Sequence, residues 1–157
     1  DLDRGQADPI SILAVSGGGR VTDSLEVFPE VKADSEGRFS VRFFLHGLRH
    51  LGEVSIERAS RLAAGDELPV MMELNNPATG TAVPLYTKEY IIVGWAPRYL
   101  VEDLVKCFAN ATELVAKVVR NNGDAAPINQ RVMIEFSGHA PAGTQPMSTS
   151  DFLPYTT

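Results

Sequence analysis

Phe39, Val41, Phe43 and Leu45 alternate with Ser40, Arg42, Phe44 and His46. A period of two places the first set on one face of a β-strand and cannot be wrapped onto a helix, whose period is 3.6. A strand with one apolar face needs neighbouring strands for its backbone groups and a core beneath that face. With 157 residues, 44% of them hydrophobic and 22% charged, the chain carries enough apolar surface for one core of ordinary size, and a single folded domain is expected.

The partners of that strand are sought on either side. Ile10 to Val15 reads as a short strand closed by Ser16-Gly17-Gly18-Gly19. That glycine run is followed by Arg20-Val21-Thr22 and lacks the Gly-Lys-Ser/Thr ending of a phosphate loop, so it reads as a hairpin turn. Leu25 to Lys32 alternates loosely, with Pro29 suited to an edge, and Asp34-Ser35-Glu36-Gly37 is a turn. After the bend Gly47 to Gly52, residues Glu53 to Ala64 form either a short helix around Ile56, Ala59 and Leu62 or a loop. Leu68 to Leu74 and Ala82 to Tyr86 are strands of a hairpin-like unit turning through Asn75-Asn76-Pro77 to Gly80. Tyr90 to Trp95 is a further strand. Pro97 then opens a helix whose apolar stripe falls at Leu100, Val101, Leu104, Val105 and Phe108. Glu113 to Arg120 and Gln130 to Phe136 are strands joined by the turn signal Asn121-Asn122-Gly123-Asp124. Residues after Gly138 are rich in Pro, Ser and Thr and read as a linker or frayed tail. Many short strands around one clear helix predict a mainly β domain, a small barrel with one or two short helices, since closing a sheet removes its edges. The expected division is an acidic N-terminal extension with a β-hairpin over residues 1–38, the barrel over 39–138 and a tail over 139–157.

Several chemistries find no support in the residues. Cys107 is the single cysteine and sits among Leu104, Val105 and Phe108, which favours a buried structural thiol over a nucleophile. His46, His50 and His139 have no ligand partners at metal spacing, so no metal or other cofactor is expected. No Ser/His/Asp, Cys/His or paired-carboxylate pattern stands out, and the chain is read as a non-enzyme. No apolar run reaches the roughly 18 residues of a membrane span, and no signal peptide opens the chain, so an intracellular location, in cytoplasm, nucleoid or nucleus, is expected. The first residue is Asp1, which points to a segment of a larger protein. The net charge of −6 argues against coating nucleic acid by bulk electrostatics. That charge is uneven. Residues 1–38 hold 4 Lys and Arg against 8 Asp and Glu, whereas residues 39–138 hold 10 against 11, so phosphate contacts there must be local and few.

Four pieces in register resemble a HIRAN domain: Gly47-Leu48-Arg49-His50; Asn75-Asn76-Pro77 followed by Ala82-Val83; Val93-Gly94-Trp95-Ala96-Pro97-Arg98 leading into a Leu-rich helix; and Met133-Ile134-Glu135-Phe136-Ser137-Gly138. The resemblance covers residues 39–138 and implies a modified OB-like barrel with a surface groove for single-stranded DNA or a DNA 3′ end. OB-type barrels bind such strands by stacking bases on side chains while a few cations hold the backbone.

The resemblance implies roles for six residues, four of them beside a plainer one. Arg49 stacks on a base or holds a phosphate, or is an ordinary surface arginine. His50 lies next to it in the groove. Asn75 and Asn76 bond base edges, or form an Asx-turn. Trp95 offers a stacking platform, or belongs to the core. Arg98, in the first turn of the helix, joins backbone N–H groups in holding phosphate. The chain departs from the end-binding pattern where His50 and Leu51 replace two aromatics, where Ala78-Thr79 replaces Tyr-Asp, and where Ile128 replaces an aromatic. That missing Asp is the residue the resemblance assigns to the 3′-hydroxyl. The resulting expectation is a nucleic-acid-binding module within a larger DNA-processing protein, with the parent's other domains as further partners. The alternative is a protein-interaction or regulatory barrel that has lost the end-binding groove.

Overall fold

In the computed structural model, which describes residues 28–109 and 114–153, the alternating run forms strand β1, Arg38–Phe44. Phe39, Val41 and Phe43 are buried while Arg38, Ser40 and Arg42 are exposed, as period two requires. Phe44 departs from the pattern: it is buried too, opposite the equally buried Met133, so both faces are covered where the strand ends. β1 pairs antiparallel with β8, Val132–His139; β8 pairs with β7, Leu114–Asn121; and β7 pairs with the two-residue β2, Glu67–Leu68. These make a four-stranded sheet in the order β1-β8-β7-β2. Two ribbons complete the strands, β3 (Glu73–Asn76) with β4 (Gly80–Ala82) and β5 (Pro84–Tyr86) with β6 (Ile92–Trp95). The domain is mainly β, with two α-helices among the described residues, α1 (Glu53–Ser60) and α2 (Arg98–Ala109).

Single bridges join the ribbon β5–β6 to the sheet on both sides. Val70 pairs with Leu85, and His46 pairs with Trp95 through two bonds of 3.0 Å. The antiparallel neighbours therefore run β1, β8, β7, β2, then β5 and β6, and back to β1. The circuit is barrel-like but not a closed barrel, because each joint is one bridge and not a ladder. Proline explains part of this. The expected strand Leu68 to Leu74 breaks at Pro69, which has no N–H to donate; its carbonyl accepts from Tyr86, and pairing resumes only at Val70 and again in β3. Phe43, Phe136, Leu85, Ile134, Val93 and Leu104 fill the interior, with the Phe43 and Phe136 rings stacked at 5.6 Å.

The helices and turns differ from expectation in ways that matter for the site. Residues 53–60 are helical, and the carbonyls at the end of α1 are satisfied from across the fold: Asn121 Nδ2 donates to the carbonyls of Ala59, Ser60 and Leu62 at 3.0, 3.1 and 2.9 Å. Asn121 is thus the last residue of β7 and at the same time starts the expected turn, its Oδ1 accepting the Gly123 N–H at 3.0 Å, and the connection 122–131 contains a 3₁₀ turn at Ile128–Gln130. In α2 the buried face is Leu100, Leu104 and Cys107. Val101, Val105 and Phe108, expected in the apolar stripe, are only partly covered. Asn75 and Asn76 belong to β3, so the turn expected over 75–80 shrinks to Pro77–Thr79.

The flanking segments pack on α2. Phe28 stacks on Tyr99 at 4.4 Å and meets Phe152 edge-on at 5.9 Å. The Met147 N–H donates to Asp103 Oδ2 at 2.8 Å, and the Val31 N–H approaches Met147 Sδ at 3.3 Å. Part of the stretch read as a frayed tail is therefore docked, because Met147 and Phe152 find apolar neighbours. The strand at Ile10–Val15 and the turn at Ser16–Gly19 lie outside the described residues, while residues 28–37 carry no strand.

An ion pair ties α1 to the β5–β6 connection: Arg58 Nη2 lies 2.7 Å from Glu89 Oε2. Hydrogen bonds from Arg58, from the Thr87 hydroxyl and from its own backbone N–H hold the Glu89 carboxyl down to about 2. A carboxyl depressed in the folded state stabilises the fold above its unfolded pKa, and that contribution is lost as pH falls through the folded value. The Glu89 carboxyl should therefore titrate by NMR near pH 2, and in Arg58→Ala it should return toward the ordinary carboxylate range. A wild-type midpoint in that ordinary range would mean the pair does not form.

Candidate nucleic-acid interface

The His46–Trp95 bridge brings the residue before Gly47 against the end of β6, and this sets the position of the indole. Gly47 has φ 76°, and a Cβ there would lie 2.4 Å from Trp95 Cε3. The six-membered ring therefore rests directly on the Gly47 backbone, and only glycine permits both the left-handed conformation and the contact. Trp95 remains half-buried, so one side of the ring is supported and part of it stays open.

Around the indole lies a cleft of about 430 Å³, within the range of small-ligand sites, whose walls include His46, Gly47, His50, Asn76, Trp95 and Arg98. Four of the six residues singled out from the sequence thus converge: His50, Asn76, Trp95 and Arg98. Arg49 is exposed beside the cleft and not on its wall; its Nε–H donates to His50 Nε2 at 3.0 Å. Asn75 is exposed and does not line the cleft; it lies in the stretch of β3 between Glu73 and Asn76 where the pairing with β4 is irregular.

Asn76 forms the Asx-turn that was the plainer of its two readings. Its Oδ1 accepts from the Ala78 and Thr79 N–H groups at 3.0 and 3.2 Å and from the Thr79 hydroxyl at 3.2 Å. Its Nδ2 donates to Glu73 Oε2 at 3.0 Å, and the same oxygen lies 3.4 Å from Trp95 Nε1. Glu73 therefore braces both the amide and the indole. Sequence reading missed it, since the contact links residues 22 positions apart.

The charges are distributed unevenly. Arg38, Arg42, Arg58, Arg61, Lys106, Lys117 and Arg131 each pair with a carboxylate. Arg49, Lys88, Arg98 and Arg120 make no ion pair among the described residues. Of these, Arg98 lines the cleft and Arg49 lies beside it, and Arg98 stands at the start of α2, where unpaired helix N–H groups add positive potential. Among the described residues, no three His, Cys, Asp or Glu side chains converge as a metal site, and no helix is long and apolar enough to cross a membrane.

No protein-family model matches the chain, and no curated protein does. Among solved structures, it is similar to a protein from Lactobacillus plantarum, at 15% identity and a TM-score of 0.50, over 66% of this chain and 99% of that one. It is also similar to the HIRAN domain of human HLTF, at 15% identity and a TM-score of 0.48, over 69% of this chain and 84% of that one. What the chain shares with the Lactobacillus plantarum protein is its fold.

Proposed function

We propose that this chain is a nucleic-acid-binding module of the HIRAN type that takes an unpaired DNA strand into the cleft over Trp95, with no catalytic step. The observation that carries the reading is the joint placement, in one cleft, of a half-open indole resting on Gly47 and a guanidinium without a carboxylate partner among the described residues. A base stacks on the open part of the indole, a contact worth roughly 1–3 kcal/mol per base. Arg98 holds the adjoining phosphate, and Arg49 and His50 contribute at the rim. Asn76 shapes the wall and reads little, because its carbonyl oxygen is already engaged by the turn. Duplex DNA offers no free base face to the indole, so selectivity for unpaired strands follows.

Trp95 is the single tryptophan, so its fluorescence reports occupancy of the cleft directly. Titration with a short oligothymidylate at low salt should quench that fluorescence saturably, with a duplex of the same length far weaker. Trp95→Phe should retain part of the affinity, measured by anisotropy of a labelled strand. Unchanged fluorescence and anisotropy at high micromolar protein would overturn the reading.

A further inference from the structure

The cleft does not end at Arg98. A second hollow of about 300 Å³ adjoins it and shares Thr79, Thr81, Arg98 and Val101 as a common wall. Its far side is Leu74, Val105 and Glu102. Leu74 is 63% exposed on β3, and the core takes Leu100, Leu104 and Cys107 from α2, leaving Val101 and Val105 half-covered on another face of the helix. Leu74 and Val105 form an apolar strip outside the core, Val101 packs at the core's edge, and Arg98 stands on the wall between this strip and the indole.

We infer that this hollow is a second subsite for the same strand, receiving the bases that follow the one on Trp95, with Arg98 at the phosphate between the two. The inference rests on the strand reading above. Three features favour a continuing strand over an apolar peptide. The seam between the hollows carries, beside Thr79, Thr81 and Val101, a guanidinium with no carboxylate partner among the described residues. The one carboxylate on the far wall, Glu102, is occupied by Lys106 at 3.2 Å and so opposes phosphate less than a free one would. The length also suits: Arg98 to Val105 spans roughly 10 Å of helix axis, room for more than one nucleotide. Aliphatic side chains offer bases an apolar bed and no hydrogen-bond pattern, so the subsite is tolerant of sequence.

The test compares thymidine 5′-monophosphate with oligothymidylates of two and four nucleotides on the full chain, wild type against Leu74→Ser/Val105→Ser. Both positions lie outside the buried core, and neither change adds charge. In the wild type, affinity should rise about fivefold for each of the first nucleotides added, the low end of base-stacking gains. The double variant should bind the mononucleotide as the wild type does and lose most of that rise. A four-unit strand with abasic sites beyond its first base should behave on the wild type as the dinucleotide or weaker. If the double variant keeps the wild-type length dependence, or if the abasic strand matches the thymidylate, the strand leaves by another route and the subsite is refuted while the cleft stands. If no length binds the wild type, the strand reading itself falls.

Discussion

Gly94→Val should lower folding stability by about 3 kcal/mol or more, read as a fall in the urea midpoint at unchanged slope. Gly94 has φ 150°, and a Cβ there would stand 2.8 Å from the carbonyl oxygen of His46 and 3.3 Å from two atoms of Leu45. The conformation alone costs a side-chain-bearing residue on the order of 1–3 kcal/mol. The clash cannot be relieved by a rotamer change, because the nearest atom is backbone. That oxygen accepts the Trp95 N–H at 3.0 Å, and the His46 N–H donates back to Trp95 at 3.0 Å. Moving it breaks both bonds, at roughly 1 kcal/mol each. These two bonds are the joint by which β6 meets β1, so the barrel-like circuit should open there and the indole should lose its support on Gly47. Gly52→Ser is the control. Gly52 has φ −71°, and a Cβ there would meet nothing within 4 Å, so that change should stay within about 0.5 kcal/mol of wild type. Equal midpoints for Gly94→Val and wild type would show that the bridge does not hold the circuit together.

The sequence was legible wherever one local rule governed several residues at once. The alternation at residues 39–45 identified β1 and its buried face, and Pro97 placed the start of α2, because strand and helix periods and the missing proline N–H act within a few residues. The site was legible only as a set of residue types. That His50, Asn76, Trp95 and Arg98 share a cleft depends on the single bridge between His46 and Trp95, which no local pattern announces. The role of Gly47 was hidden for the same reason: its need is for absence of a side chain beneath an indole that arrives from a distant strand. Asn121 is the sharpest case. Followed by Asn122-Gly123-Asp124 it reads as a turn, and its Oδ1 does accept the Gly123 N–H at 3.0 Å as an Asx-turn requires, yet its Nδ2 is drawn into the carbonyls at the end of α1, a tertiary role that the local pattern does not announce. Arg49 and Asn75 show the converse, since a motif supplies neighbours along the chain but does not say which face each will occupy.

Arg98→Ala should weaken binding of a short single strand by about tenfold to a hundredfold at low salt, the size of one hydrogen-bonded contact to a charged group. It should also reduce the slope of log affinity against log salt by about 0.7, one phosphate contact on a single strand. Arg98 lines both hollows and has no carboxylate partner among the described residues, so its removal breaks no ion pair among them and the fold should be unchanged. Arg49→Ala should do less on both measures, because that guanidinium sits outside the wall and gives one of its donors to His50. The contrast separates the local site from general attraction: a diffuse field would weigh the two cations alike, whereas a phosphate held at the seam requires Arg98. Arg98→Lys adds a finer distinction. It keeps the charge and should preserve the salt slope, but a point charge cannot reproduce the planar donor fork, so affinity should recover only in part. Should the Arg49 and Arg98 alanine variants lose affinity and slope equally, the placement of the phosphate at the head of α2 would be wrong, whatever the indole does.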